Sequence, residues 1–257
     1  MKITFLGTGT SQGVPVIACQ CKVCQSNDLK DKRLRASILI QWSKYKYVID
    51  CGPDFRTQML RENVSDIDGI LFTHEHSDHT AGLDDIRPIF FNKNAPIPIY
   101  ALQRVMDDLA KRYAYIFTKK HKYPGAPDVD VHILEAEKTF MLSDKKVLPL
   151  HILHDDLPIL GYKFDKFAYI TDAKYIKKET MHELQNLDVL IINALHHREH
   201  KKHLNLEEAL QIIEQVKPQK AILTHISHYM GLNTEMQNKL PENVFLSYDG
   251  MQISVDE

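Results

Sequence analysis

The sequence predicts an α/β (α+β) sandwich, two β-sheets packed face to face with helices on their outer sides. Strand-like apolar runs come in groups, and helical patterns are inserted late in each half of the chain. At 257 residues and 44% hydrophobic content the chain can bury a large core. No internal repeat or low-complexity linker interrupts it, so residues 1–257 read as a single domain.

The first strand covers residues 2–6 and leads into a loop punctuated by Gly7, Gly9 and Gly13. This loop lacks the dinucleotide and P-loop spacings, so it reads as a tight turn. Runs at 36–41 and 45–50 flank a short polar turn and form a hairpin. Pro53 opens a helix, with Asp54 in its first turn and Met59 and Leu60 on its inner face. Further strands fall at 69–73, 97–100, 131–134, 147–154, 160–164, 167–172, 189–193, 221–225 and 244–248, and helices at 102–113, 206–216 and 233–240. The irregular stretch 118–130 is a candidate lid or dimer contact, and within it Lys119-Lys120-His121-Lys122 reads as a solvated basic loop.

Charge and termini narrow the function classes. A formal net charge of -2 provides no field that would hold long nucleic acid by counterion release, which favours a small substrate. The N-terminus turns into glycine before an apolar leader core can form, and no apolar run approaches a bilayer-spanning length. A cytoplasmic protein without a membrane partner is expected.

The chemistry concentrates in His74-Glu75-His76-Ser77-Asp78-His79, four candidate ligands in six residues directly after the apolar run Gly69-Ile70-Leu71-Phe72-Thr73. If the extended chain persists to His76, the two-residue period puts His74 and His76 on one face, within reach of one cation, and leaves Asp78 and His79 for a second. Imidazole with carboxylate suits Zn, Mn, Fe or Ni. The spacing resembles the signature of the metallo-β-lactamase superfamily, whose αββα sandwich of two mixed sheets matches the fold expectation. The resemblance implies three later ligands, each at the mouth of a strand, and His154, Asp172 and His225 fill those slots in order. By this match His74, His76 and His154 would hold one metal, Asp78, His79 and His225 the other, and Asp172 would bridge them. His151 competes with His154 but lies inside its strand.

Cys19, Cys21 and Cys24 place three thiols in six residues. A tetrahedral structural zinc needs a fourth ligand. Cys-x-Cys-x-x-Cys, together with Thr-His-x-x-His near the C-terminal end, is similar to the phosphoribosyl cyclic phosphodiesterase branch of the superfamily, and the resemblance makes His228 that ligand. A disulfide is the alternative, but it would bridge too close a pair and leave an odd thiol. Cys51 stands apart as a buried small hydrophobe.

Two cations flanked by His and Asp would lower the pKa of a bridging water and clamp the attacking and leaving oxygens of an in-line displacement, which suits phosphodiester hydrolysis. Within the superfamily, Asp at the bridging slot points away from lactam hydrolysis. The departing alkoxide needs a proton. The branch carries a catalytic His just before a helix, and His203, ahead of Leu204-Asn205-Leu206-Glu207-Glu208, matches it, with His200 in reserve. Arg87 is a candidate phosphate ligand, against the alternative of a local ion pair with Asp84 or Asp85. The resemblance implies a homodimer that opens a small cyclic phosphodiester, either phosphoribosyl 1,2-cyclic phosphate in phosphonate breakdown or a nucleoside 2',3'-cyclic phosphate. It also implies Mn or Zn at the two active-site positions and one structural zinc. Two rivals remain: a tRNA 3'-processing endoribonuclease, for whose exosite arm no Gly/Pro-rich basic insertion is present, and a non-catalytic protein like the pyrroloquinoline-quinone B proteins, against which the intact His-x-His-x-Asp-His argues.

Overall fold

Alternation of apolar side chains builds four layers. The computed structural model describes residues 1–118 and 123–255. In the N-terminal half, β1 (Lys2–Gly7), β2 (Ser37–Trp42) and β3 (Tyr45–Ile49) form an antiparallel meander, and β4 (Gly69–Leu71), β5 (Ile97–Ala101) and β6 (Val129–Ile133) continue the sheet in parallel. The second sheet contains β7 (Phe140–Leu142), β8 (Lys145–His154), β9 (Leu157–Phe164), β10 (Phe167–Ile170), β11 (Tyr175–Ile176), β12 (Val189–Asn193), β13 (Lys220–Thr224) and β14 (Val244–Leu246). The last strand, β15 (Gln252–Ser254), returns to pair antiparallel with β1. Both sheets are therefore mixed, as expected.

Along β2 and β3, Ile38, Ile40, Tyr47 and Ile49 point into the space between the sheets, while Leu39 and Val48 point outward. In β12, Val189 and Ile191 meet them from the opposite sheet, and Leu190 and Ile192 face outward. This two-residue period lets each strand bury both faces, one on the other sheet and one under helices.

The outer helices are α1 (Phe55–Arg61), α2 (Ser77–Thr80), α3 (Arg87–Lys93), α4 (Gln103–Arg112) and α5 (Ala114–Phe117) over the first half, and α6 (Lys178–Glu183), α7 (Leu206–Val216) and α8 (Asn233–Gln237) over the second. Phe55 and Met59 of α1 and Val105, Met106 and Leu109 of α4 pack on the first sheet. Ala209, Ile213 and Val216 of α7 pack on the second. Each such Val, Leu, Ile, Phe or Met side chain contributes roughly 1.5–3 kcal/mol when fully buried.

Some sequence expectations need correction. The first helix starts at Phe55 rather than Pro53: Pro53 and Asp54 lie in a turn closed by Phe55 N–H to Gly52 O at 3.0 Å, and the first helical bond runs from Gln58 N–H to Asp54 O at 2.9 Å. Leu60 is 61% exposed and does not share the inner face with Met59. The last helix stops at Gln237, whose side-chain amide bonds Val244 O at 3.0 Å and Leu246 N at 2.7 Å. The basic run 119–122 lies outside the described residues. Among the described residues no helix is long and apolar enough to cross a membrane.

Candidate metal centre

The chemically active side chains leave the carboxyl ends of strands at one edge of the sandwich, the position where open α/β sheets bind ligands. Asp50 follows β3, the His-rich segment follows β4, His154 ends β8, Asp172 follows β10, and His225 follows β13. Asp50, Asp172 and His225 have φ of 65°, 56° and 56°, left-handed values that non-glycine residues rarely adopt. Three such turns at one edge aim the side chains into a common space, a pattern typical of functional sites.

Within that space Asp78, His79, Asp172 and His225 bring their ligand atoms within 4.8 Å of one another. His79 Nε2 lies 3.2 Å from Asp78 Oδ2 and 3.1 Å from Asp172 Oδ2, and His225 Nε2 lies 3.2 Å from Asp172 Oδ1. Neither Nε2 has a hydrogen-bond partner, although both are buried. Imidazole nitrogens that crowd carboxylates without bonding them converge on a point between them, which is the arrangement a cation would satisfy. Asp172 is close to both histidines through different oxygens.

His74 Nε2 and His76 Nδ1 approach to 2.9 Å, and the His154 ring stands 5.7 Å and 5.2 Å from theirs by centroid. His74 Nε2 and His76 Nδ1 are thus the ring atoms that face each other. The His154 ligand atom groups within 4.8 Å with Asp172 and His203, so the three-histidine set is drawn less tightly than the other. His151, the competing residue, is only partly buried within β8, inside the strand rather than at its end.

The other ring nitrogens of His79, His74 and His154 are anchored from behind. His79 Nδ1 meets Asp50 Oδ2 at 2.7 Å, His74 Nδ1 meets Thr73 Oγ1 at 2.9 Å, and His154 Nδ1 meets Asp172 O at 2.8 Å. Such partners fix the tautomer and orientation of ligating imidazoles. Asp50 also accepts the backbone N–H and hydroxyl of Thr73, both at 2.8 Å. Asn193 accepts the Ala173 N–H at 2.8 Å and donates to Ala173 O at 3.0 Å, bracing the turn that carries Asp172. Sequence reasoning missed Asp50 and Asn193. The available signal was a polar residue ending a strand adjacent to one that carries ligands.

The electrostatics match a site built for positive charge. Burial opposes a charge on His79, but Asp78, Asp172 and Asp50 outweigh it and hold the imidazole well above its usual pKa. Burial likewise opposes ionisation of Asp172, and His225 and His79 override it, keeping the carboxylate well below the ordinary range. His74 is pushed well below its usual value, first by burial and then by His79.

His203 lies at the rim, with Nδ1 3.5 Å from Asp172 Oδ1 and its ring 4.6 Å and 4.9 Å from those of His154 and His225. Its loop is closed by Leu195 N–H to Leu204 O at 3.0 Å and Leu204 N–H to Ala173 O at 2.8 Å. Asn205 and Glu208 then form a reciprocal cap that starts α7. Burial presses the His203 pKa down to about 2, with Asp172 pulling upward and His225, His154 and His200 adding to the depression. The His200 ring lies 5.0 Å from that of His203, farther from the cluster.

Arg87 is not free to face a phosphate. Its guanidinium pairs with Asp84 at 2.6 Å, donates to Tyr123 Oη at 2.5 Å and reaches the Gly125 carbonyl. The local ion pair is what forms, and Arg87 pins residues 123–125.

Away from this edge, the Sγ atoms of Cys19 and Cys21 lie 3.3 Å from His228 Nδ1 and that of Cys24 lies 3.6 Å from it. The S···N edge of a tetrahedral zinc site is about 3.5 Å from its bond lengths. Burial raises the Cys21 thiol, but hydrogen bonds from the Cys24 N–H and His228 outweigh it and lower the pKa to about 6. All four cysteines are free of disulfides, and Cys51 is fully buried.

Residues 45–226 match the β-lactamase superfamily domain. With that match, the chain belongs to the metallo-β-lactamase superfamily, whose members use divalent metal ions. Its branch is the PhnP-like one: the crystal structure of a new diphosphatase from the PhnP family superposes with a TM-score of 0.92 at 36% identity, covering 99% of this chain and 98% of that one. An octanoyltransferase of Porphyromonas gingivalis is 40% identical over 259 residues, which is 100% of this chain but 52% of that protein. The chain thus spans about half the length of that relative. A ribonuclease Z of Borrelia duttonii is 23% identical over 302 residues, covering 88% of this chain and 92% of that protein.

Proposed function

We propose that the protein is a metal-dependent phosphodiesterase that opens a small cyclic phosphodiester, phosphoribosyl 1,2-cyclic phosphate or a nucleoside 2',3'-cyclic phosphate. The observation that carries this reading is the convergence of Asp78, His79, Asp172 and His225, with buried, unpartnered imidazole nitrogens facing carboxylates. His74, His76 and His154 would hold one Mn or Zn ion, Asp78, His79 and His225 the second, and Asp172 would bridge. Two such cations would supply Lewis acidity to the phosphoryl oxygens and make water nucleophilic near neutral pH. The four-atom set of Cys19, Cys21, Cys24 and His228 would hold a structural zinc.

The protein's own groups do the rest. Asp50 and Thr73 fix the imidazoles that face the cluster, which keeps the donor set preorganised. His203, at the rim with Nδ1 3.5 Å from Asp172 Oδ1, would hydrogen-bond the departing ribose oxygen and so assist a leaving group whose own pKa is too high for unaided departure. An open cavity of about 320 Å³, lined by His76 and His154 together with Asp155, Asp156, Leu157 and Lys202, suits a small ester. Residues from Ile3 to Val255 share the inter-sheet core, which supports one domain. A cytoplasmic homodimer is part of the same proposal.

The ribonuclease Z relative supports a second reading, cleavage of precursor tRNA. Octanoyl transfer is not carried over, since the match covers only 52% of that longer protein. The test is turnover by protein reconstituted with Mn(II) or Zn(II). A strained five-membered cyclic phosphodiester should be hydrolysed much faster than bis(p-nitrophenyl) phosphate, and monoesters and nitrocefin should be nearly untouched. Faster turnover of nitrocefin than of either diester would overturn the proposal, and cleavage of precursor tRNA in preference to the cyclic ester would move it to the second reading.

A further inference from the structure

The two halves of the three-histidine set come from different sheets. His74 and His76 follow β4 of the first, and His154 ends β8 of the second. Their spacing therefore depends on how the loops of the two sheets are tied together at this edge. Leu160 N–H to Thr73 O at 3.0 Å and Tyr162 Oη to Phe72 O at 2.6 Å tie β9 to the chain just before His74, and beyond them Arg104 of α4 ties the loops that carry the histidines. One guanidinium nitrogen, Nη1, donates to Glu75 Oε1, on the residue between His74 and His76. The other, Nη2, donates to the carbonyl of Pro158, which pairs across the β8–β9 hairpin with Leu153, the neighbour of His154.

The rest of α4 supports the same loop from one face. Arg112 lies eight positions after Arg104, two turns along the helix. Its Nη2 donates to Glu75 O at 2.8 Å and to Thr80 Oγ1 at 2.9 Å. The Thr80 hydroxyl in turn donates to His76 O at 2.8 Å. Arg112 therefore holds only the loop of the first sheet, whereas Arg104 spans both. An isolated ion pair at a surface contributes little. A guanidinium fork that fixes the distance between two ligand-bearing loops acts on metal affinity instead, because outer partners typically change it by about tenfold to a hundredfold.

We propose that Arg104, through Glu75 and Pro158, is a positioning residue that sets the span between His74/His76 and His154, and so selectively governs the affinity of that one metal position. This inference rests on the metal-binding reading given above. The planar fork matters, since a lysine ammonium is a point charge and cannot reach both loops with fixed geometry.

The experiment titrates chelator-treated protein with Mn(II), counting bound ions by electron paramagnetic resonance and calorimetry, for wild type, Arg104→Met, Arg104→Lys and Glu75→Gln. Circular dichroism and retained zinc at the cysteines check folding. The wild type should take up two Mn(II) ions at the His/Asp cluster. In Arg104→Met and Glu75→Gln one site should weaken by about tenfold to a hundredfold while the other stays within about twofold, with Arg104→Lys restoring only part of the loss. Two sites with unchanged affinities in folded variants, or equal weakening of both, would overturn the role of Arg104 and leave the metal reading intact. A wild type that takes up no Mn(II) would overturn the metal reading and this inference with it.

Discussion

Asp50 holds His79 Nδ1 at 2.7 Å with both side chains fully buried, so the imidazole that lies between Asp78 and Asp172 is oriented by a third carboxylate from a neighbouring strand. The same carboxylate fixes Thr73, which in turn meets His74. One residue thereby orients an imidazole in each half of the cluster.

Replacing Asp50 by Ala should therefore weaken divalent metal binding at the cluster by about tenfold to a hundredfold, and lower turnover to match. Asp50→Asn should lose less, since an amide oxygen can still accept from His79 or Thr73. Calorimetric Mn(II) titration checks this, and equal affinities for Asp50→Ala and wild type would contradict it.

His203→Ala should keep both metals and near-normal substrate affinity while losing on the order of a hundredfold in turnover of an ester with an alkoxide leaving group. p-Nitrophenolate departs without a proton, so the same variant should be far less impaired on bis(p-nitrophenyl) phosphate. Equal losses on the two substrates, or a larger effect from His200→Ala, would move the role away from His203.

Cys21→Ser and Cys24→Ser should each lower the melting temperature and the yield of folded protein, because a structural zinc contributes its binding free energy to folding. Thermal melts with parallel zinc analysis test this. Unchanged melting would remove the structural role.

Gly52 offers a backbone test. A Cβ there would stand 2.1 Å from the Asp78 carbonyl oxygen, so Gly52→Ala must push the ligand loop outward. A destabilisation of about 1–3 kcal/mol is expected from the overpacking. Weaker metal binding should accompany it, and a variant with wild-type melting and wild-type metal affinity would show that the loop yields freely.

The sites built from local spacing were the most legible in the sequence. His74, His76, Asp78 and His79 sit within one loop, and Cys19, Cys21 and Cys24 within another, so their proximity follows from chain geometry. The apolar runs of β2 and β12 marked strands, but because both faces of each are buried the sequence did not separate the side chains that meet the other sheet from those under the helices. What was not legible depends on contacts between distant segments: Asp50 and His79 are 29 positions apart, and Asn193 and Ala173 are 20 apart. Arg87 shows the same limit in reverse. Its position after the metal motif suggested a phosphate ligand, but Tyr123 and Gly125 arrive from a later loop and occupy its donors. The short helices α2, α3, α5 and α6 were missed because their few residues carry too little periodicity to register.

Metal stoichiometry tests the central claim most directly. Elemental analysis of protein purified with Mn(II) and Zn(II) supplied should find up to three metals per chain, and after EDTA treatment one zinc should remain at the cysteine site while the two at the His/Asp cluster are lost and can be restored. A chain that carries about one metal before chelation, or that gives up its zinc as readily as the others, would contradict the account.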